Sequence, residues 1–237
     1  MKLNTKYRTL DPEIMDDFSL TGETLREALD KIASINKWLG GNRLIIKSIE
    51  ELIKNKQFSA PITIVDVGCG NGDMLRAIAD YAKQNHLKVK LIGIDANAFT
   101  IDYAIKCSAT YAEISYLCLD IFSEEFKAIK YDYLLCTLTL HHFSNQEISD
   151  LLNLFYKNAA FGVVINDLQR SKLAYRLFQL VAVVFNLNDM NRKDGLTSIL
   201  RGFKKSELLA FTRSLNPTTY KLSWQWAFRY QLLLIKK

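Results

Sequence analysis

Three glycines at alternate positions stand directly after a short apolar run. The run is Ile62–Val67, and residues 68–72 that follow it read Gly-Cys-Gly-Asn-Gly. Glycine lets the backbone turn sharply at the end of a buried strand and approach a ligand closely. We therefore expect a nucleotide or nucleoside cofactor at the carboxyl edge of a sheet, next to this turn.

The spacing of the turn argues against a dinucleotide. A dinucleotide-binding turn reads G-x-G-x-x-G and places a pyrophosphate on a helix N-terminus. Here the pattern is G-x-G-x-G, and Asp73 stands where the third glycine counted from Gly68 would fall. A carboxylate in the first helical turn would repel a pyrophosphate. A cofactor without phosphates therefore fits better, and a nicotinamide-dependent oxidoreductase is the alternative enzyme class.

Two aspartates close the next two predicted strands. Asp95 follows Val89–Ile94, and Asp120 follows Ile114–Cys118. A carboxylate at the first position can accept hydrogen bonds from ribose hydroxyls, and one at the second can accept from an adenine amino group. Because parallel strands end at the same edge of a sheet, both aspartates should meet the glycine turn in one crevice.

The surrounding elements alternate between strand and helix. Five apolar runs predict the strands Ile62–Val67, Val89–Ile94, Ile114–Cys118, Tyr131–Cys136 and Phe161–Ile165. Runs with helical periodicity separate most of them, and two further strands, Thr218–Trp226 and Phe228–Ile235, form an antiparallel pair at the end. This order predicts an α/β fold with helices on both faces of the sheet.

Helices flank this alternating region on both sides. Two amphipathic helices precede it, the first capped by Thr21 and stopped at Gly40-Gly41. After the fifth strand come an apolar helix over Leu173–Phe185, a polar loop over Asn186–Gly195 and a helix over Ser206–Leu215. We expect residues 1–57 to form a helical lid and residues 58–237 a cofactor-binding domain with a helical insertion at about 170–205.

A pair of histidines follows the fourth strand and can act as a general base. His141 and His142 are adjacent in a predicted loop, where neighbouring side chains point in different directions, and we favour His142. Asp167 and Arg170 follow the fifth strand and would bind a polar group of the acceptor or hold the next helix. The fourth strand ends without a carboxylate, so we predict no metal site.

Composition excludes several classes of function. The chain has 237 residues, 49% of them hydrophobic, and a net charge of +6 from scattered basic residues, so we expect no nucleic-acid partner. Its 4 cysteines form no C-x-x-C pair, which disfavours zinc. No signal sequence and no apolar stretch near 20 residues is visible, which predicts a cytoplasmic protein without stable membrane insertion. The oligomeric state stays open.

The glycine turn with Asp95 and Asp120 resembles the motifs of class I S-adenosylmethionine-dependent methyltransferases. The resemblance covers roughly residues 60–170 and returns in the last two strands. It implies a Rossmann-like sheet of seven strands with the last one antiparallel, and S-adenosyl-L-methionine as cofactor. The turn would then lie along methionine and ribose, Asp95 would hold the ribose and Asp120 the adenine. The residues expected to hold the cofactor are Asp66, Gly68, Gly70, Gly72, Asp95, Ala96, Asp120, Ile121 and Thr137.

Further segments are similar to narrower groups of these enzymes. Residues 138–143, Leu-Thr-Leu-His-His-Phe, resemble small-molecule methyltransferases of the ubiquinone/menaquinone type. Residues 14–17, 35–41, 166–170 and 201–203 together resemble a bacterial subgroup associated with phenolic-lipid and type III polyketide pathways. This resemblance implies a small aromatic or lipophilic acceptor, with O-methylation favoured. A non-catalytic S-adenosylmethionine-binding protein is the second alternative.

Overall fold

Seven strands form one sheet in the computed structural model, which describes residues 3–54 and 56–236. The strands are β1 (Ile62–Val67), β2 (Val89–Asp95), β3 (Ile114–Cys118), β4 (Tyr131–Thr137), β5 (Ala159–Leu168), β6 (Thr219–Gln225) and β7 (Arg229–Ile235). Their order is β3-β2-β1-β4-β5-β7-β6. Strands β1 to β5 are parallel, and β7 runs antiparallel to β5 and β6. The predicted α/β fold with an antiparallel last strand is confirmed.

Helices cover both faces of this sheet. They are α1 (Glu23–Trp38), α2 (Gly41–Ile53), α3 (Asp73–Gln84), α4 (Ala98–Cys107), α5 (Glu124–Ala128), α6 (Asn145–Asn158), α7 (Lys172–Val184), α8 (Asp189–Arg201) and α9 (Lys205–Leu215). Short 3-10 turns lie at Ile14–Asp16 and Leu140–His142. None of the helices among the described residues is long and apolar enough to cross a bilayer.

The structure differs from the predicted elements at four places. The segment predicted as a polar loop over Asn186–Gly195 contains the start of α8, where the Asn188 side chain accepts a hydrogen bond from the Asn191 backbone NH. Gly41 begins α2 instead of ending α1, and Gly22 rather than Thr21 precedes α1. The short helix α5 was not predicted.

The sheet buries alternate side chains of β1 on opposite faces. Val65 and Val67 belong to one apolar cluster, and Ile62 and Ile64 belong to the other. Ile45 of α2 lies in the second cluster, so α2 packs on the sheet, whereas α1 borders the cavity described below. Strand order reverses at β1, between β2 and β4, and this reversal opens a crevice at the carboxyl edge.

Candidate active site

The glycine turn lies at this crevice, and its glycines have the left-handed backbone of a sharp turn. Gly68 has φ 68°, and an added Cβ would lie 2.3 Å from the Oγ1 of Thr139. Gly70 has φ 52° and lines the cavity, with Leu29 of α1 as the nearest side chain to a Cβ there. The left-handed backbone favours glycine at both positions, and Gly70 leaves its backbone open to a ligand.

Asp95 ends β2 with its carboxylate held by two backbone amides. Oδ2 accepts from the Gly70 NH at 3.2 Å and Oδ1 accepts from the Asn97 NH at 3.0 Å. Each carboxylate oxygen has a second acceptor site, so both can still accept from hydroxyls in the cavity. Burial raises the pKa of the Asp95 carboxyl. Its geometry fits the ribose role that was predicted for it.

Asp66 of β1 is a buried carboxylate without a partner. It lines the cavity and takes no hydrogen bond from the part of the chain that the structure describes. Burial and the neighbouring Asp73 and Asp95 carboxylates raise its pKa well above the ordinary value. A positively charged ligand would offset this cost, so the site fits a cationic cofactor without phosphates.

The other predicted cofactor residues divide into two groups. Ala96, Asp120, Ile121 and Thr137 line the same cavity as Gly68, Gly70 and Asp95. Gly72 does not line it, and an added Cβ there would meet the Tyr116 hydroxyl at 2.0 Å. Gly72 has φ 77° as the residue preceding α3, so its conformation positions the helix rather than the ligand.

His141 is buried and held on both sides by carboxylates. Its Nδ1 lies 2.7 Å from Asp167 Oδ1, and its Nε2 lies 3.5 Å from Glu13 Oε1. Burial lowers the pKa of His141, but the Asp167 and Glu13 carboxylates outweigh it and raise the pKa to about 10. His141 is therefore an imidazolium between two carboxylates at neutral pH.

His142 is half-buried and borders the cavity. Its Nδ1 lies 2.6 Å from Asp16 Oδ1, and its Nε2 lies 4.0 Å from Glu13 Oε2. Burial raises the pKa of Asp16, but hydrogen bonds from His142 and Arg201 outweigh it and hold the pKa well below the ordinary range. Asp16 thus stays ionised and accepts from Nδ1, so that the tautomer with its proton on Nδ1 presents Nε2 as an acceptor.

The N-terminal segment brings Glu13 and Asp16 to the histidines. Arg201 of α8 holds this segment, since Nη1 donates to Asp16 Oδ2 at 2.5 Å and Nε lies 3.9 Å from Glu13 Oε1. The Asp194 carboxylate accepts from the backbone NH groups of Ile14 and Met15. Composition and spacing give no role to Glu13 or Asp16. Only the resemblance of residues 14–17 to a methyltransferase subgroup drew attention to this part of the chain.

Glu13, His141 and His142 could also be considered as metal ligands, since one atom of each lies within 4.8 Å of the others. The two imidazole rings are nearly stacked, with centroids 4.3 Å apart and planes inclined by 31°. Both Nε2 atoms lie near the Glu13 carboxylate, at 3.5 and 4.0 Å, but a protonated His141 has no lone pair to offer a cation. The absence of a metal site stays a prediction.

Two residues predicted to bind the acceptor lie outside the cavity. Asp167 is fully buried, and its carboxylate accepts from the His141 backbone NH and lies 2.7 Å from the His141 Nδ1. Arg170 is also buried, and its guanidinium donates to the Gly202 carbonyl and the Glu207 carboxylate. The acceptor-binding prediction is wrong for both, because their polar atoms are saturated by protein groups. Arg170 instead holds the start of α9, and not the next helix α7 that the alternative prediction named.

The cavity that joins these groups has a volume of about 860 Å³. One end is formed by the glycine turn, Asp95 and Asp120. The other end is lined largely by apolar side chains of α7 and α8, among them Leu177, Phe178, Val181 and Ile199. Leu29 of α1 lies beside the glycine turn. His142 borders the same cavity, so a polar cofactor and an apolar acceptor can both reach it.

Known proteins resemble this chain in sequence and in structure. Residues 64–162 match a family model described as a methyltransferase domain. A protein of Invertebrate iridescent virus 6 that is named as a methyltransferase, 235L, is 26% identical over 149 residues, which are 62% of this chain. The chain spans about half the length of that relative, 49%.

Solved structures share the fold at low sequence identity. The plantazolicin methyltransferase BpumL in complex with SAH has a TM-score of 0.60 at 20% identity, covering 89% of this chain and 85% of that one. Magnesium protoporphyrin IX methyltransferase from Synechocystis PCC 6803 with bound SAH has a TM-score of 0.55 at 13% identity, covering 84% of each. The CurJ carbon methyltransferase has a TM-score of 0.62 at 15% identity, covering 82% of this chain and 53% of that one.

Proposed function

We propose that this chain is a class I S-adenosylmethionine-dependent methyltransferase, as the methyltransferase-domain match over residues 64–162 supports, and that it methylates a hydroxyl group of a small apolar acceptor. The observation that carries the proposal is the carboxylate-backed imidazole of His142, which borders the cavity that holds the glycine turn and Asp95. One cavity thus contains a base, a site for a cationic nucleoside and an apolar wall. This combination suits methyl transfer to oxygen.

The chain's carboxylates and backbone bind and orient the cofactor. Asp95 accepts from the ribose hydroxyls, Asp120 lies towards the adenine, and Gly70 allows close approach of the backbone. Asp66 compensates positive charge on the ligand. S-adenosyl-L-methionine, when bound, supplies a methyl group on a sulfonium whose thioether is a good leaving group. Much of the remaining acceleration can come from alignment of acceptor and cofactor.

His142 takes the proton of the acceptor hydroxyl at Nε2. A hydroxyl must lose this proton to become a competent nucleophile, and a positioned base contributes roughly 10²–10⁴-fold. Asp16 fixes the tautomer and stabilises the imidazolium that forms. His141 cannot share this role, because it is buried and already protonated. It positions Glu13, which faces both histidines, and the 3-10 turn that carries His142.

The apolar end of the cavity selects the acceptor. Leu177 and Val181 of α7 and Ile199 of α8 offer no hydrogen bonds, so the part of the acceptor that lies against them is hydrocarbon or aromatic. The structurally similar enzymes are named as methyltransferases of plantazolicin, of magnesium protoporphyrin IX and, for CurJ, of carbon. A lipophilic or aromatic hydroxyl compound is the acceptor class that this lining favours.

A panel of phenols and quinols with methyl-labelled S-adenosylmethionine tests this function. We expect labelled ether product from at least one lipophilic member and none without an acceptor. Binding of S-adenosylhomocysteine without turnover on any oxygen, nitrogen or carbon acceptor would favour the non-catalytic alternative. Labelled product on carbon alone would overturn the role of His142 as the base for a hydroxyl.

A further inference from the structure

The face of α7 that points away from the core is apolar and uncovered. Leu173, Leu177, Leu180 and Val184 recur at helical spacing, and Leu180 and Val184 are 63% and 76% exposed. Val183 beside them is also exposed. An exposed row of aliphatic side chains on one helix marks an interaction surface rather than an ordinary solvated face.

Two tryptophans extend this surface from other elements. Trp38 at the end of α1 packs edge-on against Phe185 with ring centroids 5.4 Å apart, and it is 68% exposed. Trp226 in the β6–β7 turn is 71% exposed. Both tryptophans border the same cavity as Leu180 and Val184. We call Trp38, Trp226 and the exposed apolar residues of α7 the rim surface, because they surround the acceptor end of the cavity.

The charges next to the rim surface are mainly positive. The charged residues of α7 are Lys172 and Arg176, both exposed, and α7 contains no Asp or Glu. Lys37 precedes Trp38 and is exposed as well. The first turns of α8 add one exposed carboxylate, Asp189, and two exposed cations, Arg192 and Lys193. This distribution suits an anionic partner.

We propose that the rim surface docks reversibly on an anionic phospholipid bilayer. The apolar face of α7 and the two tryptophans would lie at the level of the headgroups, where tryptophan is favoured, and Lys172 and Arg176 would contact lipid phosphates. The 13 residues of α7 suit a helix that lies in the interface and does not span it. A lipophilic acceptor could then pass from the bilayer into the cavity, a consequence that rests on the proposed function.

A second copy of the chain suits this surface less well. In a twofold dimer the same patch faces itself, so Lys172 and Arg176 of one copy would lie near those of the other. No acidic side chain on α7 would compensate them. A bilayer that contains anionic lipid offers hydrocarbon and negative charge together, which is the combination that the rim surface complements.

Vesicle co-sedimentation tests the proposal without measuring catalysis. The probes are phosphatidylcholine vesicles with and without phosphatidylglycerol. The main variant is Leu173→Ser with Val183→Ser, since these residues are 57% and 76% exposed and neither lines the cavity. The matched control is Ile105→Ser with Tyr220→Ser, two exposed residues on α4 and β6. Calorimetric titration with S-adenosylhomocysteine checks that each variant keeps its cofactor site. A loss of vesicle binding can then be distinguished from a failure of the proposed methyltransferase function.

We expect wild type and the control to bind vesicles that contain phosphatidylglycerol, and the main variant to bind roughly tenfold more weakly. Lys172→Glu with Arg176→Glu should remove the preference for phosphatidylglycerol. The proposal would be overturned if wild type did not bind these vesicles, or if the control bound them as weakly as the main variant. The proposal would also be overturned if light scattering showed that wild type is a dimer and that the main variant is a monomer. The rim surface would then be the contact between two copies of the chain.

Discussion

His142 and Asp16 are 126 positions apart in the chain, and their side chains meet at 2.6 Å. The contact joins the N-terminal segment to the loop after β4, at the edge of the sheet where the glycine turn lies. The imidazole needs this carboxylate to keep its proton on Nδ1 and its lone pair on Nε2. The N-terminal segment is therefore part of the catalytic machinery that we propose.

Replacement of His142 by Gln should lower turnover while leaving cofactor binding intact. The loss of the base predicts a fall in kcat of roughly 10²–10³-fold, and the affinity for S-adenosylhomocysteine should stay within about twofold. His86→Asn is the control, since His86 is exposed and outside the cavity. A His142 variant that keeps the full rate would remove this residue as the base.

Replacement of Asp16 by Asn should impair the base without removing it. The amide can donate to Nδ1 and favour the tautomer whose proton lies on Nε2, so kcat should fall by at least about tenfold. Asp17→Asn is a matched control, because Asp17 is adjacent and solvent-exposed, and among the described residues its carboxylate bonds only Ser19. Equal rates in the two variants would show that the contact does not position the base.

The sequence predicted the cofactor end of this site better than the catalytic end. Glycine spacing and strand-closing aspartates are local signals, so the roles of Gly70 and Asp95 follow from short segments. Glu13 and Asp16 reach the histidines only through tertiary structure, which places residue 13 beside residue 141. Asp167 was assigned to the acceptor because it closes a strand at the right edge, but its side chain is buried against His141.

The imidazolium of His141 should make stability depend on pH. Its pKa is about 10 in the folded protein and near the ordinary 6.5 when unfolded. A raised folded pKa contributes stability that is fully present below about 6.5 and is lost as pH rises towards about 10. Urea unfolding at pH 6.5, 8 and 9.5 should therefore show a decline that His141→Gln reduces and His86→Asn does not. Parallel declines in all three proteins would contradict a charged His141.

The substitutions Gly72→Ala and Gly40→Ala together test how tightly the glycine turn packs against Tyr116. The two glycines have the same left-handed backbone, with φ 77° and 81° and ψ 15° for both, and each precedes a helix. A Cβ at Gly72 would collide with the Tyr116 hydroxyl, whereas one at Gly40 would have no atom of residues 3–54 or 56–236 within 4 Å. Gly40→Ala should cost about 1 kcal/mol for the backbone alone. Gly72→Ala should cost about 1–3 kcal/mol more in thermal or urea unfolding, and equal costs would contradict the collision.

Long-range packing also explains why α8 was not predicted. Its sequence has few apolar positions and contains Gly195. Both features are typical of a loop. In the structure a Cβ at Gly195 would lie 2.2 Å from the Phe178 ring, so this glycine allows α7 and α8 to approach each other. The helix is then fixed by Asp194 and Arg201, which bind the N-terminal segment. Neither contact has a local pattern in the sequence, in contrast to the alternating strands and helices of the sheet.

Calorimetric titration of the purified chain with S-adenosylhomocysteine, NADH and NADPH tests the central claim most directly. We predict one-to-one binding of S-adenosylhomocysteine alone. Asp95→Ala should weaken it at least about tenfold through the lost ribose hydrogen bonds, whereas Asp102→Ala, an exposed carboxylate on α4, should not. Binding of a nicotinamide cofactor in place of S-adenosylhomocysteine, or an unchanged affinity in Asp95→Ala, would contradict the account.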